Sequence, residues 1–240
     1  MISICLSYTT AGQDYLSKQV PRATKYVPEE IIDPTYGITM YEPLNFRLGG
    51  DSVRYCQGYS CSGWIEDFYV SDKLVHKGYY VEGKLKIYKN YYTDGILERE
   101  FRIIDDYKSI MKLYYPDAQI KSEVRYVEDQ AKKWTDYYPN GQMDYYEEFD
   151  RNFQYYIAQN SYYEDGTPEA LFELENKKKL TFTKKEYYKN GQVKEEGMVA
   201  YNVDLFDYQK IGKWSIYDES GKLTREETYL NGKINKEKDF

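Results

Sequence analysis

Few residues of this chain have side chains that could perform chemistry. Three cysteines and one histidine occur among its 240 residues. Four residues separate Cys56 from Cys61, and no second cysteine pair follows. Such a pattern is weak evidence for a metal site, because structural zinc sites need four cysteine or histidine ligands. We therefore predict no metal site, and Cys56 and Cys61 form either a local disulfide or two free thiols.

The chain also carries near matches to catalytic motifs, and each lacks a residue that its chemistry requires. Ser60 is followed two residues later by Ser62, where a nucleophile elbow has glycine. Residues 78–84 have the glycine and lysine spacing of a phosphate loop, but Leu85 replaces the Ser or Thr that would hold magnesium. His76 lies in an alternating segment that predicts an ordinary strand residue. We expect no catalytic residue, no cofactor and no enzymatic activity.

A repeated pattern of paired aromatic residues runs through the chain from about Trp64 onward. In most copies Asn-Gly or Asp-Gly follows two tyrosines after one intervening residue. The steps between copies are 23, 23, 23, 25, 25 and 29 residues, which indicates seven copies of one structural unit. The second aromatic of each copy is Tyr69, Tyr92, Tyr115, Tyr138, Tyr163, Tyr188 and Tyr217.

Each copy has the local chemistry of a β-hairpin. Asn-Gly and Asp-Gly favour type I′ turns, because both central residues of that turn have positive φ. In the copy at 187–194 this turn would place Tyr188 opposite Val193 and Tyr187 opposite Lys194. A single hairpin is marginally stable in water, so successive hairpins must stack and bury their tyrosine rings against one another.

The predicted fold class is all-β: an elongated twisted sheet of about seven stacked antiparallel β-hairpins with an irregular N-terminal cap. The 31 tyrosines supply the buried area that the scarce aliphatic residues cannot, since each aromatic ring buries about 150–250 Å². Two copies depart from the turn pattern, and we expect irregular turns at Ala118 and before Pro168.

Four segments are predicted along the chain. Residues 1–13 are apolar, then small, then polar, and resemble the end of a secretory signal. Residues 14–62 hold four of the seven prolines and are predicted to form an irregular arm or cap. Residues 63–236 form the hairpin repeat domain, and residues 237–240 form a charged tail.

Charge and hydropathy exclude several classes of protein. The net charge of −7 has the wrong sign for a general nucleic-acid binder. No apolar run is long enough to span a membrane. An aromatic content of 18% argues against disorder.

The repeat also carries a family resemblance. Gly212-Lys213-Trp214-Ser215-Ile216-Tyr217, with Gly221, Leu223, Glu226 and Tyr229-Leu230-Asn231-Gly232-Lys233 after it, resembles the variant MORN repeat. The pattern is similar to a bacterial family known as YwqK-type antitoxins of toxin–antitoxin systems. The resemblance covers about residues 63–236 and implies a non-enzymatic interaction protein that binds a partner protein, such as a toxin, in the cytoplasm.

The tyrosines of the central copies are the candidate binding residues, because tyrosine offers a large contact area at low entropic cost. Two tyrosines in succession on a strand point to opposite faces, so we expect one of the two rows to be exposed. An alternative is a secreted or cell-envelope repeat protein that binds glycan or acts as a scaffold, which the signal-like residues 2–13 favour. The candidates are Tyr91, Tyr92, Tyr114, Tyr115, Tyr137, Tyr138, Tyr162, Tyr163, Tyr187 and Tyr188.

Overall fold

The structure is a computed structural model that describes residues 25–230 and 232–240. It divides into two compact units, one that ends at Lys86 (unit 1) and one that comprises Ile87–Phe240 (unit 2). The segment predicted as a signal remnant, residues 1–13, lies outside the described residues, as do residues 14–24. The described strands are β1 (Lys25–Tyr26), β2 (Tyr55–Cys56), β3 (Tyr59–Ser60), β4 (Gly63–Tyr69), β5 (Leu74–Val81), β6 (Lys84–Tyr91), β7 (Leu97–Ile103), β8 (Lys108–Tyr114), β9 (Ile120–Val127), β10 (Gln130–Tyr137), β11 (Met143–Phe149), β12 (Tyr156–Tyr162), β13 (Pro168–Asn176), β14 (Thr181–Tyr187), β15 (Val193–Asn202), β16 (Asp207–Tyr217), β17 (Leu223–Leu230) and β18 (Lys233–Asp239).

Within each unit the strands lie side by side in chain order: β4 follows β1 and precedes β5 in unit 1, and β7 to β18 follow one another in unit 2. Apart from the parallel β1–β4 contact, the neighbouring strands whose register is defined run antiparallel. The predicted all-β stack of antiparallel hairpins is confirmed. Residues 237–239, predicted as part of a charged tail, belong to β18, which pairs with β17.

The region before the repeats is irregular within its described part, residues 25–62. It contains the helix α1 (Pro28–Ile31), 3₁₀ turns at Glu42–Leu44 and Phe46–Leu48, and the separate β2–β3 hairpin. Proline at or next to the start of α1 and of the first 3₁₀ turn fixes φ there and removes a backbone donor that a helix start cannot use.

The repeat turns are type I turns with a glycine bulge, so the prediction of type I′ turns was wrong. In the copy at 187–193, Tyr188 N–H donates to Gln192 O and Gly191 N–H to Tyr188 O, both at 2.8 Å. Gly191 has φ +82°, whereas Asn190 keeps a negative φ because its side-chain oxygen accepts from Gln192 N–H at 3.0 Å. The loop is therefore one residue longer than expected.

This turn type also shifts the cross-strand register. Tyr187 lies opposite Val193, one position away from the predicted pairs of Tyr188 with Val193 and Tyr187 with Lys194. In the seventh copy, Asp218 N–H donates to Lys222 O at 2.9 Å. Asp218 therefore occupies the position that the second tyrosine has in the other copies. Tyr217 is therefore the first aromatic of its copy, and its alignment as the second was wrong.

The turns expected to be irregular are regular. Tyr115 N–H donates to Gln119 O at 2.8 Å and Ala118 N–H to Tyr115 O at 2.9 Å, which is the pattern of the glycine-containing copies. Pro168 does not disturb its turn, because it follows the turn as the first residue of β13. Ala118 takes φ +69°, a conformation that is unfavourable for a residue with a Cβ.

Replacing Ala118 with glycine is expected to stabilise the protein by about 0.5–1 kcal/mol, because glycine adopts positive φ without strain. The reverse change, Gly191→Ala, is a matched control, since a Cβ there meets no atom within 4 Å and only backbone strain is added. Urea unfolding should move the midpoint up for A118G and down for G191A. A lower midpoint for A118G would contradict the turn geometry.

Aromatic side chains form a buried cluster in unit 2. Phe182, Val199 and Trp214 are almost fully buried on one face of β14–β16, and Tyr155 closes the cluster. A Cβ at Gly197 would lie 2.3 Å from the indole of Trp214, so a glycine in β15 makes room for this ring. The indole N–H of Trp214 donates to Met198 O at 3.0 Å, which satisfies its only polar group.

Candidate binding surfaces

The second tyrosine of each central copy bonds to the following copy. Each hydroxyl donates to the backbone carbonyl oxygen of the first aromatic residue in the next hairpin. We call these five tyrosines the second row. The bonds are Tyr92 to Tyr114 O (2.9 Å), Tyr115 to Tyr137 O (2.7 Å), Tyr138 to Tyr162 O (2.8 Å), Tyr163 to Tyr187 O (3.0 Å) and Tyr188 to Tyr217 O (2.9 Å).

Turn asparagines make a parallel set of contacts. The side-chain amide of Asn140 donates to Glu164 O at 2.6 Å, and that of Asn190 donates to Glu219 O at 2.7 Å. Each asparagine therefore shapes its own turn and binds the turn of the next copy. The second row and these asparagines hold successive hairpins together, which gives the second row a structural role.

The first tyrosines have a different environment. They end strands β6, β8, β10, β12, β14 and β16, and each lies opposite an aliphatic or methionine or proline residue that begins the following strand. We call these six tyrosines the first row; all are half-buried. The cross-strand pairs are Tyr91–Leu97, Tyr114–Ile120, Tyr137–Met143, Tyr162–Pro168, Tyr187–Val193 and Tyr217–Leu223.

The first-row hydroxyls differ in whether they have a partner. The hydroxyl groups of Tyr114 and Tyr217 contact Glu100 and Glu196 at 3.2 Å and 3.1 Å. Those of Tyr137, Tyr162 and Tyr187 have no hydrogen-bond partner within the part of the chain that the structure describes.

Cross-strand ion pairs share the face of the first row. Lys112 contacts Glu123 and Lys185 contacts Glu196, each at 2.9 Å. The hydrogen bond and charge of Lys185 hold the pKa of Glu196 below its usual range, despite partial burial. The tyrosine rings therefore stand beside a band of opposite charges that are already paired.

The opposite face of unit 2 has a groove of about 480 Å³ over β11–β16. The residues that line it are Tyr145, Tyr156, Gln159, Asn160, Ser161, Ala170, Leu171, Phe172, Lys184, Glu186, Val199, Tyr208, Lys210 and Trp214. Lys184 and Glu186 flank Lys185, so strand alternation places the groove and the first row on different faces. Burial raises the pKa of Tyr208 in the groove to about 12.

The titratable side chains around His76 and Asp67 in unit 1 contact one another. His76 is fully buried, its ring stacks on Tyr41 with centroids 3.6 Å apart, and its Nε2 lies 2.9 Å from the hydroxyl of Tyr80. Asp67 is also fully buried, and Arg54 donates to both of its carboxylate oxygens at 2.6 and 2.7 Å. Burial raises the pKa of Tyr80 to about 12.

Two other sequence candidates of unit 1 also have structural surroundings. Cys56 and Cys61 are joined by a disulfide across the β2–β3 hairpin, with Cα atoms 5.1 Å apart. In the glycine–lysine stretch, Gly83 N–H donates to Cys61 O at 2.7 Å and Gly83 O accepts from Arg54 N–H at 2.9 Å. Among the described residues, no group of three or more acidic, histidine or cysteine side chains could hold a metal ion.

Three segments of the chain match the family of MORN repeat variants. They are residues 132–151, 183–199 and 210–231, and each contains one repeat turn with parts of its two strands. This match supports the MORN part of the resemblance, and MORN repeats are typical of interaction proteins that are generally not enzymes. No curated protein matches the chain.

Two solved structures illustrate a weak similarity to this chain. A mutant of S. aureus TarM, crystallised with fondaparinux, alpha-GlcNAc-glycerol and UDP, gives a TM-score of 0.27 at 12% identity; the match covers 85% of this chain and 32% of TarM. A protein of unknown function from Bacteroides fragilis NCTC 9343 gives 0.17 at 12% identity, over 62% of this chain and 94% of that one. Neither similarity supports an argument about function. None of the described helices is long and apolar enough to cross a membrane.

Proposed function

We propose that this chain is a non-enzymatic repeat interaction protein that binds a partner protein through the first row of tyrosines. The observation that carries the proposal is the contrast between the two rows. Every second-row hydroxyl bonds to the next hairpin, whereas the hydroxyls of Tyr137, Tyr162 and Tyr187 in the first row, on half-buried rings, have no hydrogen-bond partner among the described residues.

The first row has the physical properties of a protein-binding surface. Tyrosines on alternate strands stand about 10 Å apart, since neighbouring strands are about 4.8 Å apart. Each ring lies beside an apolar partner such as Met143 or Val193, and paired charges such as Lys185 and Glu196 border it. Apolar, tyrosine-rich centres with polar rims are typical of protein interfaces.

In its finer form, the proposal is that the partner is a toxin and the chain an antitoxin. The support is the resemblance of the repeat to YwqK-type antitoxins, together with an interaction surface that needs no catalytic group. A toxin held along several successive hairpins would be inhibited by occlusion of its own active surface.

Affinity capture with residues 14–240 as bait tests the proposal. The wild type should retain one stoichiometric protein. The Tyr137/Tyr162/Tyr187→Ala variant should bind that protein at least 100-fold more weakly, because the central rings of the interface are removed. Lys177/Lys178/Lys179→Ala is the control on an exposed loop and should retain the partner. Undiminished capture by the triple tyrosine variant would refute the proposed surface.

The antitoxin form needs a second readout from the same experiment. The captured protein should arrest growth when it is expressed alone, and co-expression of the wild-type chain should restore growth. A captured partner without toxicity would leave the interaction proposal intact and reject the antitoxin role.

A further inference from the structure

The groove of unit 2 is a second surface, independent of the first row. Its walls combine aromatic rings with amide and charged side chains from six neighbouring strands, β11–β16. A volume of about 480 Å³ is within the range of small-ligand sites, about 300–1,000 Å³. The character of the lining groups indicates what the groove can bind.

The charges of the groove are neutralised within the protein. Lys184 contacts Glu186 at 3.1 Å, and Lys194 contacts the same carboxylate at 3.5 Å. Burial alone would raise the pKa of Glu186, but the hydrogen bonds and charges of these two lysines outweigh it and lower that pKa. Lys210 pairs with Glu195 and lies 3.8 Å from the ring centroid of Trp214. A neutral ligand therefore fits better than an anion or a cation.

Polar side chains retain hydrogen-bonding capacity beside the rings. Tyr145 donates to Glu147 Oε2 at 2.6 Å and accepts from Gln159 Nε2 at 3.0 Å. This leaves the amide oxygen and the second amide N–H of Gln159 without partners among the described residues. A purely apolar ligand would bury these groups unsatisfied, which disfavours its binding.

The backbone around the groove cannot recruit a peptide strand. Strands β12–β15 each have a hydrogen-bonded neighbour on both sides, so main-chain pairing is unavailable to an extended peptide. A ligand in the groove must therefore be recognised by side chains alone. A sugar matches this requirement, because its C–H face packs on aromatic rings while its hydroxyls bond to amide, carboxylate and ammonium groups.

We infer that the groove formed by Tyr145, Tyr156, Gln159, Phe172, Lys184 and Glu186 binds a neutral glycan. Tyr145, Tyr156 and Phe172 supply the packing surface for one or two sugar rings. Gln159, Lys184 and Glu186 supply donors and acceptors for the hydroxyl groups. Glycan binding in this groove requires neither the first row of tyrosines nor a protein partner.

Calorimetric titration of the full chain with chitotetraose, cellotetraose and maltotetraose tests this inference, with tetragalacturonate as the charged probe. At least one neutral tetrasaccharide should bind saturably and more tightly than tetragalacturonate. Tyr145→Ala should weaken that binding at least tenfold. Tyr146→Ala is the matched control, because Tyr146 is the next residue, is also half-buried and donates to Glu148 on the opposite face. The affinity of this variant for the tetrasaccharide should stay within twofold of the wild type.

Gln159→Met provides a second variant that keeps the side-chain length and removes only hydrogen bonding. It should weaken binding at least fivefold with an unchanged circular dichroism spectrum, so a folding defect in Y145A cannot mimic the result. The inference is overturned if no neutral tetrasaccharide binds at millimolar concentration, if tetragalacturonate binds best, or if Q159M binds like the wild type.

Discussion

Replacement of Asp67 with asparagine is expected to destabilise unit 1 by about 3–5 kcal/mol, the usual cost of breaking a buried ion pair by changing one partner. Asp67 is fully buried and receives two hydrogen bonds from Arg54 and one, at 2.8 Å, from the hydroxyl of Tyr41. Asparagine has similar volume but no charge. The guanidinium of Arg54, whose side chain is only 16% exposed, would then lack its counter-ion.

The β4–β5 hairpin, which contains Asp67, also offers a matched control. Lys77 contacts Glu66 at 2.7 Å, but these side chains are 44% and 42% exposed. Lys77→Met should therefore change stability by less than about 0.5 kcal/mol. Hydrogen–deuterium exchange of peptides from β4 and β5 measures both effects within unit 1. Equal protection of these peptides in D67N and in K77M would show that the buried Arg54–Asp67 pair does not stabilise unit 1.

The fold was predictable because its signal is local and repeated. The repeated aromatic and turn residues place seven turns, and the structure has turns at those seven places. The turn type was not predictable from Asn-Gly alone. Both the two-residue and the three-residue loop accept Gly at positive φ, and the Asn190 side chain, by bonding to Gln192, keeps the asparagine at negative φ.

The roles of the two tyrosine rows were only partly accessible from the sequence. Strand alternation predicted opposite faces, but Tyr163 already lies in the turn, where alternation no longer sets its direction. Its hydroxyl partner, Tyr187 O, belongs to the next copy, and a contact between copies depends on how hairpins stack. Whether the first row binds a partner stays a prediction.

The buried contacts around Asp67 and His76 in unit 1, and the groove of unit 2, were not predicted from the sequence for a related reason. Arg54 and Tyr41 come from an irregular segment, and no periodic pattern indicates that they meet Asp67 and His76. The groove takes its lining from six strands, whose residues share a face but no motif. Its detection from sequence needs the register of every strand pair, and each bulge shifts that register.

Removal of the second-row hydroxyls is the other change with a large expected effect. Tyr138/Tyr163/Tyr188→Phe deletes three hydrogen bonds between copies, of 2.8, 3.0 and 2.9 Å, and leaves the rings in place. A hydrogen bond of this kind contributes about 1 kcal/mol, so the triple variant should lose roughly 3 kcal/mol of stability. Because stacked repeats stabilise their neighbours, the loss should reduce the cooperativity of unit 2.

The adjacent residues provide the comparison that isolates the role of each row. Tyr137/Tyr162/Tyr187→Phe removes the same number of hydroxyls one position earlier in the same three copies, where they have no partner in the described chain. Urea unfolding of both triple variants, followed by far-ultraviolet circular dichroism, is the measurement that tests the account most directly. We predict a midpoint close to the wild type for the first-row variant and a clearly lower midpoint for the second-row variant. Equal midpoints, or a larger loss in the first-row variant, would contradict the assignment of a structural row and a binding row.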